Sequence, residues 1–149
     1  MLIRLLQSAL LLAVTVTFHT VVLSLLLNHA ERYVKEVRLT FATYSWLLVR
    51  IAALTVLAHL IEITLWAAFY VWKEAMPDFV VSLYFSAVTY ATIGYGDVVP
   101  PETWRLTAAV EGLTGILMCG WSAAFFFAVV SHIYDRVRSS KARAGSSPG

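Results

Sequence analysis

Apolar residues fill three long stretches of the chain, and a fourth, shorter apolar stretch lies between the second and the third. Positions 2–27 are apolar except for Arg4, Gln7, Ser8, His19, Ser24 and three threonines, a run of about 26 residues where a membrane-crossing helix needs about 20. A secretory signal would carry an apolar core of only about 7–15 residues and a small-residue cleavage site. This run is longer and ends Leu25-Leu26-Leu27-Asn28-His29, so it predicts an uncleaved transmembrane helix over 1–28. Residues 29–45 are polar and predict a cytoplasmic or interfacial linker. There Glu31 and Lys35, and Arg32 and Glu36, are opposite charges four apart, which favours a helix on the membrane surface or an extension of the next span.

The next apolar stretch, 46–72, reads as an outer helix. Tyr44 and Trp46 mark one end and Trp66, Tyr70 and Trp72 the other, as aromatic residues do at headgroup depth. Lys73-Glu74-Ala75-Met76-Pro77 then breaks it. Asp78 is an N-cap candidate for a helix over 78–91, whose side chain accepts from free amides of the first turn. At 1.5 Å per residue such a helix covers about 20 Å, too little to cross a hydrocarbon core of about 30 Å, so the segment must enter the membrane and return. Irregular backbone at that depth survives only when protein shields it or water faces it. Pro100-Pro101 forces a turn, and 104–134 predicts the last, inner span. The basic, then Ser/Gly-rich stretch 136–149 predicts a disordered tail.

Composition agrees with this partition. The 149 residues are 60% hydrophobic and 13% charged, with mean hydropathy +0.76, whereas soluble domains are about 45–50% apolar. The fold class is an all-α membrane protein with little chain left for a soluble domain. The single Cys119 excludes an intramolecular disulfide and reads as a small buried apolar filler. Of the eleven Lys and Arg, eight fall between the first two spans or after the last (Arg32, Lys35, Arg38, Arg50, Arg136, Arg138, Lys141, Arg143). The positive-inside rule makes those segments cytoplasmic, which leaves the N-terminus outside. Glu74, Asp78, Asp97 and Glu102 then gather on the outer side, where their field concentrates cations. The basic tail is expected to meet anionic lipid headgroups.

The candidate chemistry is concentrated in Thr92-Ile93-Gly94-Tyr95-Gly96-Asp97. A pore for a bare monovalent cation must replace the hydration shell with inward-pointing oxygens at fixed spacing. An extended strand turns successive carbonyls to one side by alternating ordinary and left-handed dihedrals, and glycine enters the left-handed region without steric penalty. Gly94 and Gly96 meet that need, Thr92 adds a hydroxyl, and the bulky Tyr95 ring must point away into surrounding protein. The hexapeptide resembles the signature of the potassium-channel pore-domain family, in its small prokaryotic-type two-span form with an extra N-terminal helix.

The resemblance covers about 46–134, most specifically 84–97. It implies three transmembrane helices plus a re-entrant pore helix and selectivity-filter loop, assembled as a homotetramer. The carbonyls of Thr92, Ile93, Gly94 and Tyr95 would be the K+ ligands, and Gly96, Asp97, Tyr84 and Val88 would support the filter at the outer mouth. It also implies passive K+ conduction with no catalytic turnover and no cofactor beyond the permeant ion. Rival readings are a weakly selective cation channel, which Tyr95 argues against, and a non-conducting accessory subunit of a larger membrane complex. Some relatives place a carboxylate where this chain has Val88, so a carboxylate clamp on Asp97 is not expected, and the Tyr84 hydroxyl is the substitute. Gly115 is the candidate inner-helix hinge, with close packing as the other explanation of Gly112, Gly115 and Gly120.

Ionisable groups inside the spans are costly and therefore functional candidates. His59 and Glu62 lie three apart on one helix face. A metal site there would need more ligands, and His19 and Glu111, on other helices, have no local spacing that supplies them. The other reading is a hydrogen-bonded polar cluster. If Glu111 and Glu62 lie together behind the filter, each disfavours the other's ionisation and conduction becomes pH-sensitive. The sequence has no Gly-rich phosphate loop, no paired cysteines, no Ser/His/Asp arrangement in a water-exposed context and no arginine every third residue as in a voltage sensor. It also has no basic face interleaved with aromatics, so nucleic acid is not an expected partner.

Overall fold

A computed structural model describes residues 2–36 and 40–145. The described residues form four α-helices and one short 3-10 turn: α1 (Leu2–Glu36), α2 (Phe41–Trp72), α3 (Phe79–Tyr90), the turn Glu102–Trp104 and α4 (Arg105–Gly145). Three helices are long and apolar enough to cross a membrane. At 12 residues, α3 spans only about 18 Å.

Helix α1 lies parallel to α4, because contacts between them advance in step along both. Arg4 donates to the Thr103 carbonyl at 3.3 Å, Ser8 to Thr107 Oγ1 at 3.0 Å, and His19 meets Ser122 at 3.1 Å. Ser8, Thr15, His19, Leu26, Ala30 and Val34 are all buried. Their spacing of seven or four places them on one stripe of α1. Outside that stripe, Leu10, Val21 and Leu25 are exposed on the single chain, as are Leu57 and Ile61 of α2.

The core has two parts. Beside α3, Trp66, Phe69, Tyr70, Ala75, Met76, Phe85, Tyr90 and Met118 pack together, with Tyr70 edge-on to Phe85 at 5.4 Å and Phe69 edge-on to Trp104 at 5.8 Å. The second cluster joins Ala30 and Val34 of α1, Leu47 and Ile51 of α2, and Val129 and Ile133 of α4.

The helices differ from the boundaries read from sequence in two places, and this second cluster explains the first. The stretch 29–45 is helix at both ends: α1 continues to Glu36, and α2 begins at Phe41, ahead of 46. Ala30 and Val34 are buried there, and Thr40 caps α2 through a reciprocal box with Thr43. Residues 37–39 lie outside the described residues. The tail expected to be disordered from 136 is instead helical to Gly145, extending the inner helix past 134. Its arginines, lysine and alanines are all good helix formers. Residues 146–149 lie outside the described residues.

Candidate pore loop and its supports

Helix α3 starts where Asp78 Oδ1 accepts the Val81 amide at 2.9 Å, and Ser82 fastens its buried face to α2 by donating to the Ala67 carbonyl at 2.8 Å. The C-terminal end turns straight into the hexapeptide. The Thr92 amide donates to Thr89 O at 2.9 Å, and the Ile93 and Gly94 amides both donate to Val88 O, at 2.8 and 3.1 Å. Val88 therefore supports the loop through its backbone while its side chain is buried.

Along the loop every second residue has positive φ: Thr92 at 58°, Gly94 at 56° and Gly96 at 78°. Glycine adopts this region freely, but a β-branched residue does so only where its surroundings hold it. Glycine's own preference points to Gly94 and Gly96 as the left-handed positions. Thr92 is a third, and its only sequence signal is its place two residues before Gly94. All seven residues from 91 to 97 are exposed on the single chain, with the Tyr95 ring 70% exposed.

Three supports hold the loop. At the outer end, the Tyr84 hydroxyl donates to Asp97 Oδ2 at 2.7 Å, and this bond holds the Asp97 carboxyl below its usual range. On the α4 side, a Cβ added to Gly115 would lie 1.9 Å from the Tyr90 carbonyl oxygen. Gly115 is thus the place where α4 crosses against the end of α3. Helix α4 runs unbroken through it, and this close approach is the packing that the sequence offers beside a hinge as the explanation of Gly115.

The third support is a polar cluster behind α3, at which all four helices meet. The Tyr90 hydroxyl donates to Glu62 Oε2, whose other oxygen lies 2.8 Å from His19 Nδ1. His59 Nδ1 lies 3.3 Å from the Tyr90 oxygen and 3.4 Å from Glu62 Oε2. Ser122 Oγ sits between the two His Nε2 atoms, 3.0 Å from that of His59 and 3.1 Å from that of His19. His19, Glu62, Ser122 and Tyr90 are buried.

His59 and Glu62 are legible from their spacing of three on one helix, whereas His19 has no local spacing that joins it to them. His19 lies on the buried α1 stripe with Ser8 and Thr15, a signal present in the sequence. Tyr90 and Ser122 were not singled out, and nothing local to them points to the cluster. Glu111 has a hydrogen-bond partner outside the cluster. Its Oε2 accepts from Tyr70 at 2.9 Å, whereas Glu62 is bonded to His19 and Tyr90, so the two acids have different hydrogen-bond partners. Cys119, expected to be buried, is exposed on the single chain.

Three membrane-length helices, a short helix that cannot cross and an irregular loop at its end define a pore-type membrane protein. A family model described as "Ion channel", of the two-transmembrane potassium-channel pore type, matches residues 54–132, more than half of the chain. The chain belongs to that family. The match holds α3, the loop and most of α2 and α4, and leaves α1 outside. No curated protein and no solved structure matches the chain.

Proposed function

We propose that four copies of the chain form a potassium-selective channel that conducts K+ passively down its electrochemical gradient. The carbonyls of Thr92, Ile93, Gly94 and Tyr95 are the ion ligands, the Thr92 hydroxyl adds an oxygen at the inner end, and K+ is the permeant substrate. The observation that carries this reading is the run of positive φ at Thr92, Gly94 and Gly96, because alternate left-handed residues turn carbonyls to one side of a strand. One loop per chain supplies one side of a filter, and stacked carbonyl rings from four chains give a dehydrated ion about eight oxygens. The exposure of 91–97 and of the Tyr95 ring supports assembly, since neighbouring copies would cover them.

The filter mouth and the N-terminus face outward, the C-terminus is cytoplasmic, and the basic residues from Arg136 on lie at the anionic leaflet surface. The test is the reversal potential of purified protein in lipid vesicles under asymmetric potassium and sodium. A potential near that of potassium supports the proposal. One near zero indicates an unselective cation pore, and electrical silence indicates an accessory subunit; either result overturns it.

A further inference from the structure

The cluster behind α3 has more hydrogen-bonding links than protons to fill them. Five links join its members: His19 Nδ1 to Glu62, Tyr90 to Glu62, His59 Nδ1 to Tyr90, and Ser122 to each Nε2. A neutral imidazole brings one proton, as does each hydroxyl, and an ionised carboxylate brings none. Two imidazoles, Tyr90 and Ser122 therefore supply four protons to five links. Whichever tautomers are chosen, at least one link has lone pairs facing each other.

The two rings meet Ser122 in the same way, each with its Nε2 close to a single oxygen that has two lone pairs. Both Nε2–H groups can donate to it. Both Nδ1 atoms are then bare, and both face the Glu62 carboxylate, at 2.8 and 3.4 Å. Lone pairs and a carboxylate that converge in this way at membrane depth call for a cation or one further proton among them.

We propose that His19, His59 and Glu62 bind a divalent first-row cation of the zinc type, with the Tyr90 hydroxyl as the fourth donor. The ligand atoms of the two histidines and Glu62 all lie within 4.8 Å of one another. Four donors about 2.0–2.1 Å from a tetrahedral ion stand about 3.3–3.4 Å apart. His59 Nδ1 already lies 3.3 Å from the Tyr90 oxygen and 3.4 Å from Glu62 Oε2, while His19 Nδ1, 2.8 Å from Glu62 Oε1, and the Tyr90 hydroxyl, hydrogen-bonded to Oε2, must each draw back from the carboxylate to admit the ion. Imidazole nitrogen with carboxylate oxygen is a donor set such an ion accepts. Ser122 fixes both rings from outside, as the partners of metal-bound histidines usually do. The ion would brace α1 and α2 against Tyr90, two residues before Thr92, and so give α1 a role that the two-span pore does not need.

The site does not rest on potassium selectivity, and its test measures metal, not current. Full-length protein in detergent is stripped with a chelator, re-equilibrated with zinc and assayed for metal per chain, and cobalt is then substituted for its visible spectrum. Size-exclusion and circular dichroism confirm that each variant assembles. The expected result is one zinc per chain and the intense absorption of tetrahedral cobalt. Binding should be lost in His19→Gln, weakened about 10–100-fold in Ser122→Ala and kept in His132→Gln. Absence of zinc from the wild-type protein, as a cluster balanced by a proton alone would give, overturns the proposal. So does zinc binding unchanged in both His19→Gln and Ser122→Ala.

Discussion

A methyl group at position 115 would collide with backbone, not with a side chain that can swing aside, because the nearest atom is the Tyr90 carbonyl oxygen at 1.9 Å. Gly115→Ala should therefore push the end of α3 away from α4 and destabilise the protein by about 1–3 kcal/mol, the usual cost of overpacking. Gly120→Ala, with nothing within 4 Å of its added carbon, should be close to neutral. Thermal unfolding of the two variants side by side checks the pair. At Asp97 the Tyr84 bond holds the folded carboxyl below its ordinary range, so the stabilisation it brings is present above the ordinary carboxylate pKa and is lost as pH falls through the depressed value. Tyr84→Phe should move the acid-side loss of conductance to higher pH, toward the ordinary range. Titration of current against external pH in both proteins measures the shift.

Among the helices, α3 was the most legible in sequence, because its limits are set locally by Asp78 as N-cap and by the first left-handed residue after it. Asp78→Ala should cost about 1 kcal/mol and Asp78→Asn much less, since the amide oxygen can still accept from Val81, and thermal unfolding again reads the difference. The ends of α1 and α4 were less legible. Charged residues at 31–36 suggest a surface helix or an extension of the second span and those at 136–143 a disordered tail, yet at 31–36 the first helix itself runs on, because Ala30 and Val34 find partners on other helices, and α4 continues to Gly145. Polarity along a segment shows what faces water, and one buried stripe is enough to keep a polar helix formed.

For the whole molecule, hydropathy and length determined that the chain crosses the membrane three times with one short helix between crossings, because the cost of burying backbone polar groups leaves few other solutions. Glycine spacing determined where the loop must turn left-handed, since that preference belongs to the residue itself. Tertiary structure alone decided that Thr92 shares the conformation, that Gly115 lies against Tyr90, and that His19, His59, Glu62, Tyr90 and Ser122 meet at one point. Those residues come from four helices. Their meeting depends on the register with which the helices pack, a property that no window of sequence contains.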